Sequence, residues 1–284
     1  MKIHAIQTGS VRVKLAQLDA PHPGPMGIVG VLLDSEWSGW LPTYAWAVEH
    51  RDGIIVVDTG QAAYLLEEVR RSLHPFLHNC AQFEMAPELE VGPQLSTLGI
   101  GPRDVKQVVL THMHIDHDAG LSHFPQSTIR VAPGEVANAR GVLGAIRGHL
   151  PRRWPTWFDP QDLDLVDGTY GPFAASRRLT ADGSVIAVAT PGHTANHLSV
   201  IVEDDDASIF LAGDTSYTEA LMLAGKIDGV SPNAAVTAGT LATIRQFATE
   251  RPVVYLPTHD PEAGARLARR QIVPLYRGKE QHAA

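Results

Sequence analysis

The chain has 284 residues, 44% hydrophobic and 19% charged, enough to bury a sizeable core in one large domain or two small ones. A net charge of −8, a pI of about 5.9 and the lack of a long basic stretch argue against a nucleic-acid partner. The one cysteine, Cys80, can form no internal disulfide, and no run approaches the roughly 18 apolar residues of a membrane span. The N-terminus "MKIHAIQTGSVRVK" alternates like a strand and lacks a signal peptide's apolar stretch. Together these features predict a soluble cytoplasmic protein.

In chain order, strands are predicted at "KIHAIQ" (2–7), "SVRVKLA" (10–16), "TYAWAVEH" (43–50) and "GIIVVDTG" (53–60). The intervening segment 17–42 is rich in Gly and Pro but also carries Met, Leu and Trp. That apolar content suits a lid or interface arm better than a disordered linker. A helix is expected from about Gln61 to Leu73, with Asp58 or Thr59 near its start. Residues 79–93 read as irregular, and a short helix around Pro93–Leu98 precedes a strand at 106–111. Beyond it come a strand at "TIRVA" (128–132) and a helix from Pro133 towards Ile146. Prolines break a second arm, 147–160, which holds two tryptophans. Strand-like "RRLTA", "SVIAVAT", "HLSVIVE" and "ASIFLAGD" follow, then a helix over Asn233–Glu250, the strand "PVVYLP" and a short helix from Pro261 to Arg270. No composition shift marks a boundary, so residues 1–284 are read as one domain.

The informative stretch is "THMHIDHDAG" (111–120), three histidines and two aspartates at the end of the apolar run "VKQVVL". If the strand continues through them, His112 and His114 point to one face, while Asp116 and His117 open the next turn. Imidazole and carboxylate are the ligands that borderline divalent metals such as zinc prefer. Three more polar residues end apolar strands: His193 in "TPGHTANH", Asp214 in "IFLAGDTSY" and His259 in "VVYLPTHD". A lone buried carboxylate at Asp214 is costly unless paired or metal-bound. Asp58 in "IIVVDTG" occupies the same kind of position.

HxHxDH followed by a distant His, Asp and His resembles the metallo-β-lactamase superfamily, over nearly the whole chain. The resemblance implies an α/β fold, an αβ/βα sandwich of two facing mixed sheets with helices on the outer faces. It implies two divalent metal ions, Zn2+ before Co, Mn or Fe. His112, His114 and His193 would hold one ion, Asp116, His117 and His259 the other, and Asp214 would bridge them. Asp58 would support the histidine loop by hydrogen bonds without ligating.

Within the superfamily, Asp214 and the absence of a motif cysteine disfavour a true β-lactamase, and His114 replaces the glutamate of redox members. Too few residues follow His259 for the helical domain of glyoxalase II-like thioesterases. Tyr217 in "GDTSYTE" is similar to the D-x-S-Y arrangement of the N-acyl homoserine lactonases, where that hydroxyl contacts the substrate carbonyl. The expected reaction is lactone opening by a metal-bridging hydroxide, with Asp116 as proton donor and Tyr217 stabilising the oxyanion. Met26, Trp37, Trp40, Trp154, Trp157 and Phe158 are the candidates for an acyl-chain trough, and the arms could also pair two copies. His123, His149 and His197 are left out of the ligand set. The rivals are another hydrolase on the same scaffold, such as a phosphodiesterase, thioesterase or aryl esterase, and a non-catalytic metal-dependent binding module. A phosphodiesterase needs a cationic pocket, which Arg140, Arg147, Arg152 and Arg153 could furnish.

Overall fold

A computed structural model of the chain describes residues 1–71, 75–141, 144 and 147–277. The first sheet contains β1 (Lys2–Val13), β2 (Leu41–His50), β3 (Gly53–Val57), β4 (Ala81–Glu84), β5 (Val105–Val109), β6 (Thr128–Val131) and β7 (Gln161–Asp162), in the order β4-β1-β2-β3-β5-β6-β7. The second contains β8 (Ser176–Arg178), β9 (Val185–Ala189), β10 (Leu198–Glu203), β11 (Ser208–Gly213) and β12 (Val253–Pro257), in the order β12-β11-β10-β9-β8. Both sheets are mixed. β3, β5, β6 and β7 run parallel to one another, as do β11 and β12, and the remaining pairs are antiparallel.

Side-chain alternation decides which face meets which layer. From β2, Tyr44, Trp46 and Val48 meet Val200, Leu211 and Leu256 of the second sheet in the central core. The intervening Ala45 and Ala47 face outward, under Leu95 of the helix Val91–Thr97 and under Leu121 and Phe124. On the far side, Ile186, Ile201, Phe210 and Tyr255 are covered by Leu241, Ile244 and Phe247 of the helix Ala234–Glu250. Two facing sheets with helices outside are therefore the expected sandwich. The long helix starts at its expected place because Asn233 Oδ1 accepts the N–H groups of Ala235 and Val236 at 3.1 and 3.2 Å.

Several boundaries moved. The two strands expected at 2–7 and 10–16 are one strand, β1, with a register shift between Gln7 and Ser10. Gly9 makes that bulge possible: its φ is 138°, and a Cβ there would lie 2.8 Å from the Glu84 carbonyl oxygen. Segment 79–93 is not wholly irregular, since its "AQFE" pairs with β1 as β4, too short and too mixed to show period 2. The 17–42 arm folds into short helices, Leu15–Leu18 overlapping its start and Gly27–Leu33 within it. The helix expected from Gln61 begins at Tyr64, and its expected end at Leu73 lies outside the described residues. The helix expected over 133–146 covers Glu135–Arg140; residues 142, 143, 145 and 146 lie outside the described set. β5 stops at Val109, so His112 and His114 sit in a loop and do not continue a strand.

Phe247 is fully buried, its ring 5.3 Å from Phe173 and 6.1 Å from Phe210, and it fastens the long helix to the second sheet. Phe247→Ala is expected to destabilise the fold by about 3–5 kcal/mol. A lowered midpoint in urea denaturation followed by circular dichroism checks this.

Candidate metal centre

The polar strand ends meet at one place. His112 Nε2 and His193 Nε2 each lie 3.0 Å from His114 Nδ1. Asp214 Oδ2 is 3.4 Å from His193 Nε2 and 4.0 Å from His112 Nε2. On its other side, Asp214 Oδ1 is 3.4 Å from His117 Nε2, and Oδ2 is 3.3 Å from His259 Nε2. Asp116 Oδ2 lies 3.5 Å from the same His259 nitrogen. All seven expected ligands are thus brought together, in three overlapping groups: His112, His114 and His193; His112, His117 and Asp214; and Asp116, His117 and His259.

The donor atoms fit cations. Burial and the neighbouring imidazoles push His112 and His114 well below the usual histidine range, so both present neutral nitrogens. His112 Nε2 and His193 Nε2 meet the same His114 Nδ1, which cannot pair with both at once. His117 Nε2 and Asp214 Oδ1 are buried and make no hydrogen bond. Buried groups of this kind demand a partner, and neutral imidazole with carboxylate is a zinc-type donor set. Burial raises Asp214, but His259 and His117 outweigh it and hold the carboxyl well below its ordinary value. Asp214 is therefore an anion ready to ligate.

A layer of hydrogen bonds aims these side chains. Asp58 follows β3 with φ 59°, a left-handed conformation that Asp tolerates better than most residues. Its carboxylate accepts from the Thr111 N–H at 2.8 Å, the Thr111 hydroxyl at 2.9 Å and His117 Nδ1 at 2.9 Å. The result fixes the start of the histidine loop and turns His117 Nε2 towards Asp214. Pro42 O accepts from His259 Nδ1 at 2.9 Å. His197, which the sequence reading kept out of the ligand set, accepts the Asp214 backbone N–H at Nε2, 3.1 Å away. Burial drives it down to about 3, so it remains a neutral acceptor. This approach needs Gly213 (φ 57°), where a Cβ would come within 2.6 Å of His197 Nε2. His149 Nδ1 donates to Met113 O at 2.6 Å, and His123 pairs with Glu90 at 2.5 Å.

One functional residue escaped the sequence reading. Asp228 Oδ2 faces His193 Nδ1 at 3.3 Å, while the Asp228 carboxylate also accepts from Val230 N–H, Ser231 N–H and the Ser231 hydroxyl at 2.7–2.9 Å. It performs for His193 what Asp58 does for His117. "KIDGVS" offers no apolar strand before the aspartate, and Asp-Gly reads as an ordinary turn.

A cleft with about 440 Å³ of free space opens beside His114, Asp116, His193, Asp214 and His259. Tyr217 borders it, its ring stacked on His259 with centroids 5.4 Å apart. The apolar wall is built from Val11, Val13, Phe76, Leu77 and Phe83. None of the six expected trough residues borders this cleft. Met26 is 61% exposed on the first arm, and Trp37 and Trp40 pack on the Arg12 guanidinium at 5.5 and 5.2 Å. Trp154 donates to Asp118 at 2.7 Å and packs with Phe158 against the outer face of the first sheet, while Trp157 is 37% exposed. Aromatic content marked the arms, but β1 and the helix Pro75–Cys80 supply the apolar surface at the site. Of the four arginines considered for a cationic pocket, Arg147 alone borders the cleft. Arg140 lies over the Trp154 ring at 5.3 Å, and Arg153 pairs with Glu68.

Facing mixed sheets whose strand ends gather five histidines and two aspartates define an αβ/βα protein able to bind metal. The chain belongs to the metallo-beta-lactamase superfamily, whose profile matches residues 38–259. It is similar to a probable metallo-hydrolase of Mycobacterium tuberculosis, 32% identical over 64% of this chain and 57% of that one, so little more than half of that relative is matched. An N-acyl homoserine lactonase of Rhizobium radiobacter is 25% identical over 79% of this chain and 84% of its own. Among solved structures, an N-acyl homoserine lactone hydrolase with the product N-hexanoyl-L-homoserine at its catalytic metal centre superposes with a TM-score of 0.74. It is 18% identical, with 92% of this chain and 94% of that chain covered.

Because Asp228 orients His193, Asp228→Ala is expected to weaken metal retention by roughly 10–100-fold while the fold persists. Chelator competition followed by metal analysis of the protein, beside wild type, checks this.

Proposed function

We propose that the protein is a metal-dependent hydrolase that opens the ring of N-acyl homoserine lactones. The observation that carries the reading is Tyr217, whose hydroxyl-bearing ring borders the same cleft as the clustered histidines and aspartates. The names of the relatives at 25–26% identity support it. His112, His114 and His193 would hold one divalent ion, Asp116, His117 and His259 a second, and Asp214 would serve both, with zinc the best fit to the donor set. When bound, such a pair supplies a water acidified to near-neutral pKa.

The chain's own residues do the rest. The apolar wall of Val11, Val13, Phe76, Leu77 and Phe83 takes the acyl chain. Burial and the nearby Asp214 carboxylate keep the Tyr217 phenol protonated, so it donates to the lactone carbonyl oxygen as charge develops there. Asp116, partly exposed beside His259, carries a proton to the departing ring oxygen. The single cysteine, Cys80, is buried and free, which suits a thiol-keeping compartment such as the cytoplasm. Arg147 at the cleft supports a second reading, a phosphodiesterase, in which its guanidinium would face a phosphoryl group.

Metal-loaded protein offered short- and long-chain acyl homoserine lactones, an aryl ester and a phosphodiester is expected to release acid from the lactones. Release from the phosphodiester alone would replace this reading with the second. Tyr217→Phe is expected to lower kcat roughly 100-fold with metal content unchanged, whereas Asp214→Ala is expected to lose metal. Parallel kinetics and metal analysis of both variants separate the two roles.

A further inference from the structure

Gln17 is a buried residue that the ligand cluster and its supporting hydrogen bonds do not account for. It lies in the short helix Leu15–Leu18, is 6% exposed, and borders the cleft in front of the metal-binding cluster. Its Nε2 donates to the Tyr217 hydroxyl oxygen at 2.7 Å. That bond occupies a lone pair of the phenol and leaves the phenolic proton free for a substrate oxygen. Its backbone carbonyl accepts the Gly229 N–H at 3.1 Å, one residue beyond the Asp228 that orients His193. Gln17 is therefore held at its backbone and at one end of its amide.

The other end has no partner among the described residues. Gln17 Oε1 is buried and makes no hydrogen bond. Val11, Val13, Ala81 and Tyr217 line the same cleft. An acceptor left without a donor in such a place is costly, and a ligand that brings the donor gains what water cannot reach. Tyr217 and Gln17 together thus present a donor followed by an acceptor along one wall. An acylated amino-lactone presents the complementary sequence, a ring carbonyl oxygen and then an N–H on the neighbouring carbon.

We infer that Gln17 determines specificity by accepting a hydrogen bond from the substrate's amide N–H, an inference that rests on the lactonase reading above. The carbonyl meets Tyr217, the amide meets Gln17, and the acyl chain continues along the apolar wall. Simple lactones without the amide leave Oε1 unsatisfied. A site built to hydrogen-bond an N–H discriminates against analogues that lack it, because the buried acceptor then stays unpaired.

The test uses the metal-loaded full chain, wild type and Gln17→Met, with an N-acyl homoserine lactone, its N-methyl analogue and an amide-free γ-lactone of equal chain length. Removing the N–H is expected to lower wild-type kcat/KM about tenfold, mainly through KM. In Gln17→Met the amide and N-methyl substrates are expected to differ far less. Gln17→Glu keeps the acceptor, so it is expected to retain the preference for N–H even as its overall rate falls. Equal sensitivity to N-methylation in wild type and Gln17→Met, with lactonase activity present, overturns the role of Gln17 alone. No wild-type turnover of any lactone overturns the lactonase reading and this inference with it.

Discussion

A shared, almost fully buried carboxylate is the constraint around which the molecule is arranged. Asp214 faces His112, His193, His117 and His259 at 3.3–4.0 Å, and its Oδ1 finds no hydrogen-bond donor. A buried anion is tolerable only where positive charge joins it. The neighbouring residues serve that geometry: Gly213 lets the backbone turn without a Cβ, and His197 receives the Asp214 N–H. Shifting Asp214 would disturb the whole cluster at once, since its Oδ2 faces His112, His193 and His259 and its Oδ1 faces His117.

The sandwich makes such a pocket rigid. The converging residues follow strand ends from both sheets, β3 and β5 on one side, β9, β11 and β12 on the other. The central core locks those sheets through Trp46, Leu211 and Leu256, so the loops leave from fixed points. Three of the five histidines are then oriented by a bond to the remote nitrogen: Asp58 for His117, Asp228 for His193, Pro42 O for His259. These bonds hold tautomer and ring direction, the usual role of a second layer around metal. Tyr217 and Gln17 add a polar edge to a cleft otherwise apolar on its outer wall.

Much of this was legible beforehand because the signals were local. Alternating apolar residues in "TYAWAVEH" and "SVIAVAT" marked core strands, and HxHxDH with later strand-end His, Asp and His marked the cluster. Asp58 was legible for the same reason, as a polar residue closing an apolar strand. Asp228 and Gln17 were not. Neither follows a strand, and each acquires its role from a partner far away in the chain: His193 is 35 positions from Asp228, and Tyr217 is 200 from Gln17. The aromatic residues of the two arms misled, because an aromatic side chain reports only that it needs cover and does not say which surface supplies it.

The sequence by itself determined which side chains could ligate, which strands would be buried and which family pattern the chain follows, since residue type and periodicity are carried along the chain. Only the tertiary structure decided which of those groups meet, where the apolar wall of the cleft runs and which buried polar atoms are left without partners. Those are properties of surfaces brought together across two sheets, and no local pattern encodes the distance between a short helix near the N-terminus and a tyrosine beyond β11.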